Sequence, residues 1–182
     1  HHLLGHVTDW VFDLDNCLYP ASTRLFDLID ERMGAYIERL LGVDSVEAKR
    51  VQKAHFHTHG TTLAGLMKEH QVDPHHFLEE VHAIPLDRVT RDERLANGLA
   101  RLPGRKLVFT NADEPYARRV LDALGVGEHF AELHDIHAAD FLFEVFAGEV
   151  EDAADAGRGV GVLARVLLHQ LDQAADRVRH RR

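Results

Sequence analysis

Apolar and polar positions divide the chain into two kinds of pattern. Residues 7–14 are almost continuously apolar, as in a strand of a parallel sheet that is covered on both faces. From Ser22 the apolar residues instead recur every three or four positions, which predicts a helix that ends at Gly42. The apolar positions of that stripe are Leu25, Phe26, Ile29, Met33, Ile37, Leu40 and Leu41.

Three more helices are predicted before the next strand, at about 45–59, 62–70 and 74–84. Ser45 is the expected cap of the first of them. Asp73 followed by Pro74 is a strong start signal for the last, because proline is tolerated at the first helical position. Since no strand pattern interrupts these helices, residues 20–85 are predicted to form a helical unit.

Strand-type patterning returns after this helical unit. Lys106 to Thr110, "KLVFT", is a second buried strand, and a weaker third strand lies near residues 133–136. One helix, starting at Asp92, precedes the second strand, and another, capped by Asp113, follows it. Strands and helices therefore alternate in the way that a parallel sheet requires.

This order predicts an α/β fold, a Rossmann-like parallel sheet with a helical cap inserted after its first strand. The core is expected to comprise residues 6–19 and 86–182, and the cap residues 20–85. The C-terminal part is atypical, since no Pro, Lys, Ser or Thr follows Phe141. The apolar spacing there predicts an amphipathic helix over 160–178.

Composition narrows the class of protein. The 182 residues are 45% hydrophobic and 28% charged, which is typical of a globular domain. The excess of 30 acidic over 21 basic residues gives a net charge of −9, which argues against nucleic acid or an anionic membrane as a partner. The single Cys17 excludes an internal disulfide. No apolar run approaches membrane-spanning length and no leader is evident, so we expect a cytoplasmic protein.

Two carboxylates follow the first strand. Asp13 and Asp15 lie at its carboxyl end, where open α/β sheets bind their ligands. Residues two apart in extended backbone point the same way, so both carboxylates can face one crevice. Their mutual repulsion raises one pKa or recruits a cation, which suits either a nucleophile beside an acid or a site for Mg²⁺. The alternative is that the pair merely caps a turn.

Thr110 and Asn111 follow the second strand, just before a helix begins. A hydroxyl, an amide and the free N–H groups of a helix start form a site for an anion. A plain helix cap is the alternative here. Together the two strand ends predict an acidic pair that faces a phosphate-binding corner.

Four blocks of the sequence resemble a known family. "DLDNCLYP" resembles the first motif of the haloacid dehalogenase superfamily of phosphohydrolases, and "VFTNADEPYARRVLDALGV" resembles the second. The similarity is closest to the pyrimidine 5′-nucleotidase-like branch, whose cap carries text like "HFHTHGTTLAGL" and "HHFLEEVHAIPLDRV". The resemblance covers about residues 8–141.

The resemblance implies a mechanism. Asp13 would attack phosphorus to form an aspartyl-phosphate, and Asp15 would protonate the leaving alcohol and then activate water. Thr110 and the backbone of Asn111 would bind the transferring phosphoryl group. Mg²⁺ would be held by the Asp13 side chain and the Asp15 carbonyl. The implied substrate is a small phosphomonoester, in particular a pyrimidine nucleoside 5′-monophosphate, over which the cap closes.

Two further motifs of the superfamily are not found: a Lys near a Pro, and a second acidic pair. No Lys follows Lys106, and Arg158 would have to replace it. The candidates for the second acidic pair are Glu151, Asp152 and Asp155. The change of composition near Phe141 indicates either a shifted reading frame or a diverged end whose 160–178 helix replaces the lost part or mediates a homodimer.

Two other functions therefore stay open. One is a dehalogenase in which Asp13 attacks the carbon of a haloacid; an acid at Asp15 and a phosphate-type corner speak against it. The other is a catalytically inactive protein that at most binds small phosphate ligands.

Fifteen histidines invite a metal interpretation as well. His55 and His59, one helical turn apart, would share a helix face, with His57 between them. The alternative is that these residues belong to an ordinary cap helix.

Overall fold

The computed structural model describes residues 7–137 and, for its backbone alone, residues 160–163. Its strands are β1 (Asp9–Phe12), β2 (Arg105–Phe109), β3 (Glu132–His134) and β4 (Val160–Leu163). They form a sheet in the order β3-β2-β1-β4, and each neighbouring pair is parallel. The predicted α/β fold is confirmed.

Six α-helices accompany the sheet: α1 (Leu25–Leu41), α2 (Ser45–His59), α3 (Thr62–His70), α4 (Pro74–His82), α5 (Glu93–Arg101) and α6 (Glu114–Leu124). Helices α1 to α4 all lie between β1 and α5 in the chain, and they pack on one another. This is the order that the apolar spacing predicts. The division of the chain into a core and a cap at residues 20 and 85 stays a prediction.

Strand β1 lies inside the sheet between β2 and β4. Trp10 and Phe12 are buried, whereas Asp9 and Val11 are half-buried, which is the alternation of a strand with one face more deeply covered. The indole Nε1 of Trp10 donates a hydrogen bond to the carbonyl of Pro103 at 2.6 Å. This contact anchors the turn that leads into β2 to the central strand.

The helix predicted over residues 160–178 is wrong at its start, because Val160–Leu163 is strand β4. Its backbone pairs with β1 from Asp9↔Val160 to Phe12↔Leu163. Val-Gly-Val is a poor helix former and the two β-branched residues favour extended backbone. Hydrogen bonding to the open edge of β1 therefore outweighs the helical spacing of the apolar residues, and the segment is extended. The remainder of the predicted helix lies outside the described residues, as do Glu151, Asp152, Asp155 and Arg158.

Local boundaries differ from prediction by a few residues. The carboxylate of Asp44, rather than Ser45, caps α2 by accepting hydrogen bonds from the backbone N–H groups of Val46 and Glu47. The predicted caps Asp73 and Asp113 are confirmed, since each accepts a backbone N–H of its own helix. Asp92, the predicted start of its helix, caps α5 in the same way. No helix in the part of the chain that the structure describes is both long and apolar enough to cross a membrane.

Candidate active site

The turn after β1 carries the two candidate carboxylates. Asp13 Oδ1 accepts a hydrogen bond from the Leu14 backbone N–H at 2.8 Å. The chain then turns tightly, because the N–H of Leu18 returns to the Leu14 carbonyl at 3.0 Å. Asn16 adopts the left-handed conformation with φ 59°, which asparagine tolerates better than most residues. Asp13 thus directly follows the strand, and Asp15 lies in the turn.

Asp13 sits where a carboxylate is costly to ionise. Burial, and then the neighbouring charge of Asp15, raise its pKa from 3.8 to about 7. Hydrogen bonds from the Leu14 N–H and, at 3.6 Å, from the Cys17 thiol oppose this shift only in part. A group with such a pKa changes its charge near neutral pH, which is typical of functional sites.

Asp15 is held by two tyrosines. The hydroxyl of Tyr19 donates to Asp15 Oδ1 at 2.5 Å, and that of Tyr116 donates to the same oxygen at 3.1 Å. Burial raises the pKa of Asp15, and the two hydrogen bonds and the nearby His82 counteract the rise. Both tyrosines contact Oδ1, and among the described residues no hydrogen bond reaches Oδ2. Oδ2 is therefore the oxygen that the two tyrosines leave without a hydrogen bond.

A buried pair of side chains joins α4 to α6 behind Asp15. His82 Nδ1 lies 2.9 Å from Asp113 Oδ1, and the His82 ring stacks on Tyr116 with 4.5 Å between ring centroids. Burial would raise the pKa of Asp113, but the hydrogen bond with His82 and the charge of its ring hold that pKa below its usual range. His82 thereby connects the last of the four inserted helices to the tyrosine that contacts Asp15.

Asp13 and Asp15 open onto a cavity of about 430 Å³. One part of its wall follows the carboxyl ends of the strands and includes Asn16 and Asn111. The other part comes from the inserted helices, with the aromatic and polar side chains of Phe26, Asp30, Gln52, Lys53, Phe56, Phe77 and His82. The cavity lies between the end of the sheet and the helical insertion, where both can contact a ligand.

The two residues of the predicted phosphate-binding corner have different positions in the structure. Asn111 lines the cavity with the two carboxylates. Thr110 is buried, is not a lining residue, and uses its hydroxyl to accept a hydrogen bond from the Ala112 N–H at 3.1 Å. The structure brings Asp13, Asp15 and Asn111 to one space. The Thr110 contact with a phosphoryl group stays a prediction.

The donor set at Asp13 and Asp15 matches a hard divalent cation in kind. Mg²⁺ binds through one or two carboxylates plus water and substrate oxygens, and two repelling, poorly solvated carboxylates are stabilised by such an ion. Among the described residues no third His, Cys or acidic side chain joins this pair in a cluster of metal-ligand spacing. The side chains therefore fit Mg²⁺ only with oxygen ligands from backbone, water or substrate.

Four residues beside the carboxylates or in the cavity wall were not identified from the sequence: Tyr19, Lys53, His82 and Tyr116. Each lies in a helix or turn whose residue spacing is ordinary, so the spacing does not mark it as a functional residue. Tyr19 and Tyr116 are among the most deeply buried side chains, at 1% exposure each. A buried tyrosine needs a partner for its hydroxyl, which is the signal that could have directed attention to them.

Comparison with known proteins yields a relative. The chain is 30% identical over 131 residues to phosphate metabolism protein 8 of Saccharomyces cerevisiae, an alignment that covers 65% of this chain and 40% of the relative. The aligned part thus spans about two fifths of the length of that protein. No protein-family model matches the chain. The chain is a distant homologue of a yeast protein named for phosphate metabolism.

Proposed function

We propose that the protein is a phosphohydrolase of the haloacid dehalogenase lineage, which hydrolyses a small phosphomonoester through an aspartyl-phosphate on Asp13. The observation that carries this proposal is that Asp13, Asp15 and Asn111 line one cavity, although about a hundred residues separate the first two from the third. The distant homology to a protein named for phosphate metabolism agrees with it.

In this mechanism the Asp13 carboxylate attacks phosphorus. A bond forms between a carboxylate oxygen and phosphorus while the bond from phosphorus to the leaving oxygen breaks. Asp15 Oδ2 delivers its proton to the leaving alcohol. It then takes a proton from the water that attacks the aspartyl-phosphate, and this second step releases phosphate and regenerates Asp13.

The environment of Asp15 supports its role as an acid. Burial raises its pKa, which favours the protonated form, and hydrogen bonds from Tyr19 and Tyr116 fix the carboxyl orientation. Asp13 and the Asp15 backbone are the groups that would hold Mg²⁺. The ion would supply positive charge that favours the ionised form of Asp13 and neutralises phosphate oxygens.

A nucleoside 5′-monophosphate suits the helical side of the cavity. Phe26 and Phe56 provide apolar faces for a base, and Lys53 provides a positive charge for an anion. The amide of Gln52 donates to Asp30 Oδ1 at 2.7 Å, which presents polar groups to the same space. Aromatic faces beside a few polar groups are typical of sites that bind a base and ribose.

The test is phosphate release from UMP, CMP and p-nitrophenyl phosphate in the presence of Mg²⁺. Asp13→Asn is expected to lower kcat by at least about 10³-fold, because it removes the nucleophile. Asp87→Asn, which changes an exposed aspartate outside the cavity, serves as the control and should keep wild-type kcat.

The same assay separates the alternatives. Release of halide from a haloacid without phosphatase activity would assign a dehalogenase. Binding of UMP by calorimetry with no turnover of any substrate would assign an inactive binding protein. Phosphatase activity that survives in Asp13→Asn would refute the mechanism.

A further inference from the structure

A cluster of metal-ligand side chains lies away from the carboxylate pair, on consecutive helices α2 and α3. His55, Glu69 and His70 each place a ligand atom within 4.8 Å of the other two. His55 belongs to α2, and Glu69 and His70 close α3. None of the three lines the cavity of Asp13 and Asp15.

His55 carries an unexplained feature. Its side chain is 5% exposed, and its Nε2 is buried without a hydrogen-bond partner among the described residues. Its Nδ1 lies 3.8 Å from Glu69 Oε1, which is beyond hydrogen-bond distance. A buried polar nitrogen without a partner is destabilising, and a ligand at Nε2 would remove that cost.

The backbone makes room for this imidazole at one position. A Cβ at Gly65 would lie 2.4 Å from Cγ and 2.5 Å from Nδ1 of His55. Glycine at this position of α3 lets the ring rest directly against the helix. The placement of His55 beside Glu69 and His70 is thus built into the packing of α2 on α3.

His59 contacts the carboxylate of Glu69. Its Nε2 lies 2.8 Å from Glu69 Oε1, and its ring is 5.8 Å from that of His55. A hydrogen bond from a neighbouring side chain is the usual means of orienting a carboxylate that binds a metal. His57, the third histidine of this stretch, is exposed and lies outside the cluster.

We propose that His55, Glu69 and His70 bind a divalent transition-metal ion of the Zn²⁺ class, which joins α2 to α3. Two imidazoles and a carboxylate are a ligand set that Zn²⁺ prefers, with water in a fourth position. Tetrahedral coordination with bonds of about 2.1 Å puts ligand atoms roughly 3.4 Å apart. Glu69 and His70 are exposed, so rotation of their side chains can shorten these distances.

The test measures binding of Zn²⁺ and Co²⁺ to the full chain. Wild type is expected to bind one ion at this site, to show the visible absorption of tetrahedral Co²⁺, and to gain thermal stability with Zn²⁺. His70→Ala and Glu69→Gln should each weaken binding by at least about tenfold. Both positions are exposed, so circular dichroism should report an unchanged fold.

His57→Ala is the matched control, because it removes an exposed histidine from the same helix and leaves the cluster intact. It should bind metal as wild type does. His1 and His2 offer a competing pair of ligands, so the site is judged by the difference between wild type and His70→Ala. Equal binding by those two proteins, or equal loss in His57→Ala, would overturn the proposal. Absence of any Zn²⁺-dependent gain in wild-type stability would overturn it as well.

Discussion

The hydroxyl of Tyr116 lies 3.1 Å from Oδ1 of Asp15, although 101 residues separate them in the chain. This contact joins the first turn of α6 to the turn after β1. Tyr19 donates to the same oxygen from only four residues away. One carboxylate oxygen thus accepts from both hydroxyls, which lie 3.5 Å apart, while no hydrogen bond among the described residues reaches the other oxygen.

Replacement of Tyr116 tests this arrangement. Tyr116→Phe removes a hydrogen bond that lowers the pKa of Asp15, so that pKa should rise further. In the proposed mechanism Asp15 acts in its protonated form, so the alkaline limb of the pH profile of kcat should move to higher pH. We expect kcat itself to fall about tenfold, as for a loss of about 1.4 kcal/mol of orientation.

Tyr36→Phe is the control for that measurement. Its hydroxyl contacts His76 at 3.2 Å, outside the cavity, so the pH profile should be that of wild type. An alkaline limb that stays in place in Tyr116→Phe would contradict the role given to this hydroxyl.

Asp13 makes stability depend on pH. Its pKa is about 7 when folded and 3.8 as its ordinary value, so between these values the folded state binds the extra proton. Its contribution to the free energy of unfolding therefore falls as pH rises from about 4 to 7 and is constant above that. In EDTA, Asp13→Asn should gain stability relative to wild type over this range, by on the order of 2–4 kcal/mol. Thermal unfolding at pH 5 and pH 8 measures the difference.

Mg²⁺ gives a second readout of the same carboxylate. If Asp13 holds the ion, millimolar Mg²⁺ at pH 8 should raise the Tm of wild type and leave Asp13→Asn nearly unchanged. Asp87→Asn should respond as wild type does. The stability prediction has its own counter-test. If the difference in free energy of unfolding between wild type and Asp13→Asn stays constant from pH 5 to 8, the pKa of Asp13 is not raised in the folded state.

The pair of His82 and Asp113 should stabilise the contact of α4 with α6. Asp113→Asn keeps a capping side chain but loses the charge, and we expect it to cost about 1–3 kcal/mol at pH 7. Because the pKa of folded Asp113 is lowered, this stabilisation is present above its ordinary pKa of 3.8 and disappears as pH falls through the folded value. Denaturant unfolding at pH 7 and near pH 3 tests both statements.

Asp92→Asn provides the comparison, since Asp92 caps α5 through the N–H groups of Arg94 and Leu95 and has no histidine partner within the described residues. Its effect should stay below about 1 kcal/mol, since asparagine caps helices as well as aspartate does. Equal losses in the two variants would mean that capping alone explains Asp113.

Gly104 is required by the turn before β2. Its φ is +82°, and an added Cβ would lie 2.3 Å from the carbonyl oxygen of Thr8. Gly104→Ala combines backbone strain with a clash against backbone, so we expect a loss of at least about 2–3 kcal/mol. Gly98→Ala, inside α5 with nothing within 4 Å, should instead stabilise the protein by about 0.5–1 kcal/mol. Chemical denaturation of both variants gives the comparison, and a tolerated alanine at 104 would rule out the close approach.

The sequence determined the elements that local chemistry controls. Helices α1, α4 and α6 follow from apolar spacing, from Asp73 with Pro74, and from a glycine with positive φ at the ends of α1 and α6. These signals act over a few residues, so they can be recognised without knowledge of the rest of the chain. The position of Asp13 and Asp15 at the end of the first strand followed in the same way.

Tertiary structure decided what depends on residues distant in the chain. The tyrosines around Asp15, the pairing of His82 with Asp113, the cluster of His55 with Glu69 and His70, and the strand at Val160–Leu163 all require contacts between separate elements. Apolar spacing gives the face that a helix buries but not the partner that its polar atoms meet. That partner is set by how the helices close over the sheet, because a buried hydroxyl or imidazole is stabilised only by the particular group that packing brings to it.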